Sequence, residues 1–304
     1  MDLAKLYTDP SFPGSYGGLE RFYQAVKERF PKVTRPEVRE FLKSQDSYTL
    51  HKTIRKPRKY RRTLTFAPRD LWQIDLLDMQ KYARQNRGYR YMCVIIDCFS
   101  KFLWIKPLKS KRGKETVKAL ALLLMNERPN KIQADQGSEF FNKDVAKMLE
   151  AFGPKLYHSY SDKKAAIVER VQRTIRQRLG RLFTQQNNHN WIDHIQELAD
   201  SYNNTFHRTI QMKPADVRPE HTANIFARLY PKEKIKKAEF KVGDRVRITA
   251  KRTFLQKEYI PGWTKEIFVI NTVQQTNPIT YILQDESQEV ITGSFYAEEL
   301  QRVS

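Results

Sequence analysis

Cysteine is nearly absent from this chain, which has only Cys93 and Cys98 among its 304 residues. The two lie five positions apart, on or just after an apolar run and without a nearby histidine. This placement predicts buried thiols in a reducing compartment and excludes a disulfide framework. Residues 1–70 contain His51 as their one histidine and no cysteine. We therefore predict that this segment holds no structural zinc.

Long apolar runs and acidic residues are also scarce. No apolar stretch approaches the length of a membrane span and no signal peptide is visible, which predicts a soluble intracellular protein. The chain has 34 Asp and Glu against 55 Lys and Arg, a formal net charge of +21. Such an excess predicts attraction to polyanions and a strong dependence on salt. An enzyme acting on neutral small molecules has no need of it.

Three of the few acids stand beside apolar runs. Asp75 and Asp135 lie at the ends of two short segments predicted to be strands, Trp72–Leu76 and Lys131–Ala134. Glu169 begins a long amphipathic stretch predicted to be a helix. Strand, strand and helix can converge at one edge of a sheet. The alternative is that the three acids are unrelated surface or capping residues.

A shared divalent metal site would compensate all three charges, each of which is costly beside apolar residues if it is unpaired. Oxygen ligands without histidine or cysteine partners favour Mg²⁺ or Mn²⁺ over Zn²⁺. Two such ions in one site assist in-line displacement at phosphorus. We therefore predict Asp75, Asp135 and Glu169 as metal-ligating catalytic residues, with two ions per active site.

At these residues the chain resembles the retroviral-type integrases and related DDE transposases. The segments Trp-Gln-Ile-Asp75 and Asp135-Gln-Gly-Ser-Glu-Phe, with the Glu169 helix, look like the D, D, E core of that family. Four further segments are similar to integrases of Polinton (Maverick) transposons: Gln45–Lys52, Phe240–Ile248, Trp263–Phe268 and Gly293–Leu300. The spacing from Asp135 to Glu169 is slightly shorter than usual, and Gln136 stands where many members have Asn. Neither departure removes a ligand.

The resemblance implies an activity and its partners. The activity is that of a polynucleotidyl transferase and endonuclease, which trims the 3′ ends of a mobile element and joins them to target DNA. The implied partners are double-stranded DNA and further copies of the chain. The expected assembly is a dimer that becomes a tetramer on DNA. The expected location is the nucleus. Two alternatives stay open: a domesticated DNA-binding protein without strand transfer, and an RNase H-like nuclease that cuts without joining.

Composition and periodicity divide the chain into five regions. We predict an N-terminal helical module (1–50), a basic DNA-contacting linker (51–69), a catalytic core (70–217), a second linker (218–238) and a small C-terminal SH3-like or chromodomain-like β-barrel (239–304). The first region is predicted to hold one helix over Leu19–Phe30 and a second after Thr34. It is either a helix-turn-helix or a packing module without DNA contact.

The core is predicted to be α/β. Two more strands, Tyr91–Asp97 and Phe102–Ile105, join the two that carry aspartates. The predicted helices are Lys114–Met125, Asn142–Phe152, Lys163–Phe183 and Trp191–Phe206. Early strands with short turns imply antiparallel pairing, and the later alternation implies parallel pairing. The pattern fits an RNase H-like mixed five-stranded sheet.

Basic residues in three regions are candidate DNA contacts, although those of the linker and of the Glu169 helix could instead be merely solvated. They are Lys52, Arg55, Lys56, Arg58, Lys59, Arg61 and Arg62 in the linker; Lys163, Lys164, Arg173 and Arg176 at the Glu169 helix; and Arg245, Arg247, Lys251 and Arg252 in the barrel. The barrel has a second interpretation, an aromatic pocket for a modified histone tail and hence a chromatin contact. Its candidates are Tyr259, Trp263, Phe295 and Tyr296, although aromatics in so small a barrel usually form its core.

Overall fold

The computed structural model describes residues 2–55, 57, 59–135, 137–158, 165–231, 237–250 and 260–303. The chain divides into two compact units. One consists of Thr63–Lys232, and the other combines Met1–Arg62 with Glu233–Ser304. No helix formed by the described residues is long and apolar enough to cross a membrane.

The N-terminal module is helical, as predicted. Its helices are α1 (Leu3–Thr8), α2 (Leu19–Arg29), α3 (Arg35–Ser44) and α4 (Asp46–Thr49). Helix α3 begins where the sequence predicts, because the Thr34 side chain accepts from the Glu37 amide while the Glu37 side chain accepts from the Thr34 amide. Apolar faces of α2 and α3, including Phe22, Val26 and Val38, pack into one buried cluster.

A mixed five-stranded sheet forms the centre of the core unit, as predicted. Its strands are β1 (Leu71–Asp78), β2 (Tyr91–Asp97), β3 (Leu103–Leu108), β4 (Lys131–Gln133) and β5 (Lys155–Tyr157). Their spatial order is β3-β2-β1-β4-β5. The first three pair antiparallel, whereas β4 pairs parallel with both β1 and β5. Sequence reasoning did not identify β5, which is three residues long.

Helices cover both faces of this sheet. They are α5 (Gly113–Asn126), α6 (Lys143–Phe152), α7 (Ala166–Gln186), α8 (Ile195–Asn203) and α9 (Thr222–Leu229). Alternation along β1 sends Trp72 and Ile74 to the face covered by α5 and α6, and Leu77 to the face covered by α7 and α8. Cys93 and Cys98 are buried free thiols, as predicted.

Two predicted helix boundaries in the core are wrong. Helix α7 begins at Ala166, not at residue 163, and α8 is shorter than predicted because a 3₁₀ turn, Ile192–His194, precedes it. In addition, helix α9 lies inside the segment predicted to be a linker. Its apolar residues Ile225 and Leu229 are buried against Phe99 and Ile210, which explains why a helix forms within this proline- and lysine-rich segment.

The C-terminal segment forms an antiparallel sheet. Its strands are β6 (Arg245–Ile248), β7 (Phe268–Gln274), β8 (Thr280–Gln284), β9 (Phe295–Tyr296) and β10 (Leu300–Arg302), in the spatial order β10-β6-β7-β8-β9. The segment Glu289–Ile291 does not form a strand of this sheet, and its Val290 makes an isolated bridge with Gln284. Within this unit the sheet contacts the N-terminal module, where the Gly262 amide donates to the Leu50 carbonyl at 2.9 Å.

Candidate active site

Asp75 lies within β1, and Asp135 follows the end of the neighbouring parallel strand β4 by two residues. The last paired positions of the two strands are Gln73 and Gln133, and each aspartate is two residues further along the chain. Side chains two residues apart on a strand point to the same face, so Asp75 lies on the face of Gln73. Helix α7 covers this face, because its Val168 packs in the same buried cluster as Leu77. Strand alternation and the helix thus place Asp75 under α7, and Asp135 is near enough for its charge to raise the pKa of Asp75.

Glu169 lies in the first turn of α7 and is exposed. The pKa of the Asp75 carboxyl is raised to about 6, mainly because the group is buried, and the charges of Asp135 and Glu169 raise it further. Asp75 therefore lies within electrostatic range of both other carboxyls. The structure thus places Asp135 and Glu169 near Asp75.

Gln172 is a site residue that sequence reasoning missed. Its side chain is buried, and its Nε2 donates to Oδ2 of Asp75 at 2.9 Å. Its Oε1 accepts from Nη2 of Arg176 at 3.1 Å. The other Asp75 oxygen, Oδ1, accepts from the Leu76 amide at 2.8 Å. Its place in the sequence could have identified it, because Gln172 follows Glu169 by three residues and so lies on the same helix face.

The oxygen atoms at this site fit a hard divalent cation. Oδ1 of Asp135 is buried, and no described residue donates a hydrogen bond to it. An acceptor in that state is costly unless a cation or donor satisfies it. Within the described ranges, no three acidic, histidine or cysteine side chains are grouped closely enough to share one ion. Glu169 would therefore have to approach the two aspartates for all three to serve a common ion.

Most predicted DNA contacts in the described residues are exposed cations. These are Lys52, Arg55, Lys59, Arg61, Arg62, Arg173, Arg176 and Arg245. Six others lie outside the described residues: Lys56, Arg58, Lys163, Lys164, Lys251 and Arg252. Arg173 and Arg176 follow Glu169 by four and seven positions, which places them on the same side of α7. Two cations thus border the three acids.

Arg247 does not fit the predicted role of a DNA contact. Its side chain is only 3% exposed, and Nη2 pairs with Asp46 of the N-terminal module at 2.5 Å. Nη1 donates to the carbonyls of Thr264 and Lys265, at 2.8 and 2.5 Å. A guanidinium engaged in this way is not available to DNA phosphates. Alternation places Arg247 on the same face of β6 as the exposed Arg245, and Arg247 is buried because the N-terminal module, through Asp46, covers it.

The aromatic candidates of the C-terminal sheet have packing roles. Trp263 is buried, and its Nε1 donates to the Lys52 carbonyl at 2.7 Å. Phe295 packs against the buried cluster of this sheet. The Tyr296 ring meets Tyr60 edge-on, and its hydroxyl accepts from the Arg61 amide at 2.8 Å. Tyr259 lies outside the described residues.

Comparison with known proteins identifies the family. The sequence model of the integrase core domain matches residues 67–164, a range that includes Asp75 and Asp135 but ends before Glu169. A transposon-derived protein of Caenorhabditis elegans is 36% identical over 217 residues, which span 71% of this chain and 73% of that protein. The chain belongs to the retroviral-type integrases.

More distant relatives of this integrase are polyproteins. It is 28% identical over 120 residues, 38% of the chain, to the Gag-Pol polyprotein of avian reticuloendotheliosis virus. It is 25% identical over 208 residues, 66% of the chain, to the Tf2-3 transposon polyprotein of Schizosaccharomyces pombe. These matches span only 10% and 15% of the two polyproteins.

A solved structure also resembles this integrase along its whole length. It is a chain of the cryoEM structure of the simian T-cell lymphotropic virus intasome in complex with the PP2A regulatory subunit B56 gamma. The TM-score is 0.69, with 100% of this chain and 99% of the other covered. The sequence identity is 14%, so the likeness concerns the fold.

Proposed function

We propose that this mobile-element integrase trims DNA 3′ ends and joins them to target DNA, with Asp75, Asp135 and Glu169 holding two Mg²⁺ or Mn²⁺ ions. The observation that carries the proposal is the nearness of Asp135 and Glu169 to the buried Asp75, whose pKa their charges raise, together with a buried Asp135 oxygen that lacks a described donor. When bound, such ions assist the attacking and leaving oxygens of an in-line displacement at phosphorus.

Neighbouring residues of the chain have complementary roles in this proposal. The Gln172 amide fixes one Asp75 oxygen, which leaves the carboxylate in a single orientation. Arg173 and Arg176 bind phosphates beside the scissile bond, because they lie on the same side of α7 as Glu169. Trimming uses water as the nucleophile, and joining uses the new 3′ hydroxyl at the same site.

The wider assignments also belong to this proposal. The basic linker and a C-terminal SH3-like or chromodomain-like barrel bind DNA, and the barrel is also where a chromatin contact would occur. The chain acts in the nucleus as a Polinton-type integrase. One chain carries one set of the three acids, whereas joining an element requires two ends held together. Dimers in solution that become tetramers on paired DNA ends meet this requirement.

The activity can be tested with purified protein, Mg²⁺ and labelled oligonucleotides that carry candidate element ends and a target duplex. We expect trimmed ends followed by joined products, and Asp135→Asn protein should give neither. Random cuts without joining would instead support a nuclease. Binding without any product would support a domesticated DNA-binding protein.

The assembly can be tested by measuring molar mass with and without paired DNA ends. A dimer, or a mixture of monomer and dimer, should become a tetramer or larger on DNA. Full joining activity from a complex with one protomer per pair of ends would contradict the assembly.

A further inference from the structure

Gln73 connects the two aspartate strands to the start of α7. Its side chain is 0% exposed and lies on the α7 face of β1, two residues before Asp75. Its Oε1 accepts from the amides of Ile167 and Val168, each at 3.0 Å. Its Nε2 donates at 2.9 Å to Oε1 of Gln133, the residue paired with it on β4. One buried carboxamide therefore contacts three structural elements.

These contacts supply a helix cap from outside the helix. The first amides of a helix lack partners within it, and the residue before the helix normally satisfies the second and third of them through a side-chain oxygen. In α7 that preceding residue is Ala165, whose methyl group cannot accept a hydrogen bond. Ile167 and Val168 are the second and third residues of α7, and Gln73 satisfies both.

The cap lies directly beside a predicted catalytic residue. Glu169 follows Val168 in sequence, and its own amide bonds to the Ala165 carbonyl at 3.0 Å. The position of the Glu169 backbone therefore depends on the first turn of α7, which Gln73 holds against β1 and β4. Asp75 lies on β1, and Asp135 follows the end of β4 by two residues.

We propose that Gln73 is a positioning residue, which holds the first turn of α7 against β1 and so sets how far Glu169 lies from the two aspartates. This inference rests on the proposed metal-dependent function. A sequence signature accompanies it, because a Gln-x-Asp triplet occurs on β1, Gln73-Ile74-Asp75, and again from the end of β4, Gln133-Ala134-Asp135. The two glutamines are paired in the sheet register.

The cap itself can be tested without measuring activity. In Gln73→Met protein, hydrogen exchange at the Ile167 and Val168 amides should speed up by about fivefold to tenfold, the effect of losing a typical cap. Gln73→Glu retains an acceptor and should keep wild-type protection. Gln85→Met is a matched control, because Gln85 accepts from the His189 amide at 2.8 Å, beyond the far end of α7. Equal protection in the Met and Glu variants of Gln73 would overturn the cap.

The positioning role of Gln73 is tested by measuring the affinity of the protein for Mn²⁺. The half-saturating Mn²⁺ concentration, read from Mn²⁺-dependent thermal stabilisation, should rise about tenfold or more in Gln73→Met, while the Kd for DNA stays unchanged. Adding Ala165→Ser, which restores a local cap, should return both amide protection and the Mn²⁺ concentration toward wild type. A folded Gln73→Met protein with wild-type Mn²⁺ dependence would overturn the inference. If wild-type protein shows no Mn²⁺ stabilisation at all, the proposed function fails, whereas the hydrogen-exchange result still decides the cap.

Discussion

Asp75→Asn should stabilise the metal-free protein at neutral pH while it abolishes catalysis. Burial and two nearby carboxylates raise the pKa of Asp75 from its ordinary 3.8 to about 6. Between these values the folded protein keeps a proton that the unfolded chain releases, so stability falls as pH rises through this window. At about 1.4 kcal/mol per pKa unit, the difference between the two pKa values limits the stability lost on ionisation of Asp75 to about 3 kcal/mol.

The expected gain in stability of Asp75→Asn protein is smaller than this limit. Asparagine also alters the hydrogen bond from Gln172, and partial exposure of the site weakens the repulsion. We therefore expect about 1–2 kcal/mol at pH 7.5, or a rise in Tm of about 2–8 °C for a unit of this size. Thermal denaturation in EDTA between pH 4 and 8 measures the difference, which should shrink toward pH 4.

A neighbouring aspartate, whose pKa is shifted in the opposite direction, provides a control. Asp78 is on the same strand, but the Gln80 amide donates to it at 2.9 Å and lowers its pKa. Asp78→Asn should therefore bring no gain in stability at neutral pH. The reasoning would be refuted if Asp75→Asn lowered the Tm at pH 7.5, or if its effect were the same at every pH.

Three other predictions concern the site, the DNA contacts and the second unit. Asp135→Asn and Glu169→Gln should each abolish trimming and joining in an oligonucleotide assay with retained DNA binding, and full activity in either would remove that residue from the site. Neutralising the cations of residues 52–62 should flatten the slope of log K against log salt in a binding titration, and a salt-insensitive wild type would contradict this. Asp46→Ala should destabilise its unit by about 1–3 kcal/mol in chemical denaturation, because it leaves Arg247 buried without its counter-ion; an unchanged midpoint would mean that the pair contributes nothing.

Sequence reasoning was most accurate where a pattern is local. The strands carrying Asp75 and Tyr91 follow from short apolar runs, and the cap at Thr34 follows from capping chemistry within a few residues. The mixed sheet followed from the order of these elements. The three acids were found because each interrupts an apolar run.

The missed features depend on contacts between distant segments. Helix α9 was missed because the prolines and lysines around it indicated a linker, whereas its Ile225 packs on Ile210 and Phe99. Arg247 appeared to be a DNA contact because its partner, Asp46, is 201 positions away. Gln172 and Gln73 acquire roles only when α7 lies on β1. Such pairings become visible only with the fold.

The central claim is that Asp75, Asp135 and Glu169 hold a common metal site. The most direct test replaces Mg²⁺ with Fe²⁺ in the presence of ascorbate, since radicals formed at bound iron cut the nearby backbone. We expect cuts near all three residues, suppressed by excess Mg²⁺ and absent from Asp135→Asn protein. Cuts confined to other segments, or cuts that persist unchanged in that variant, would contradict the shared site.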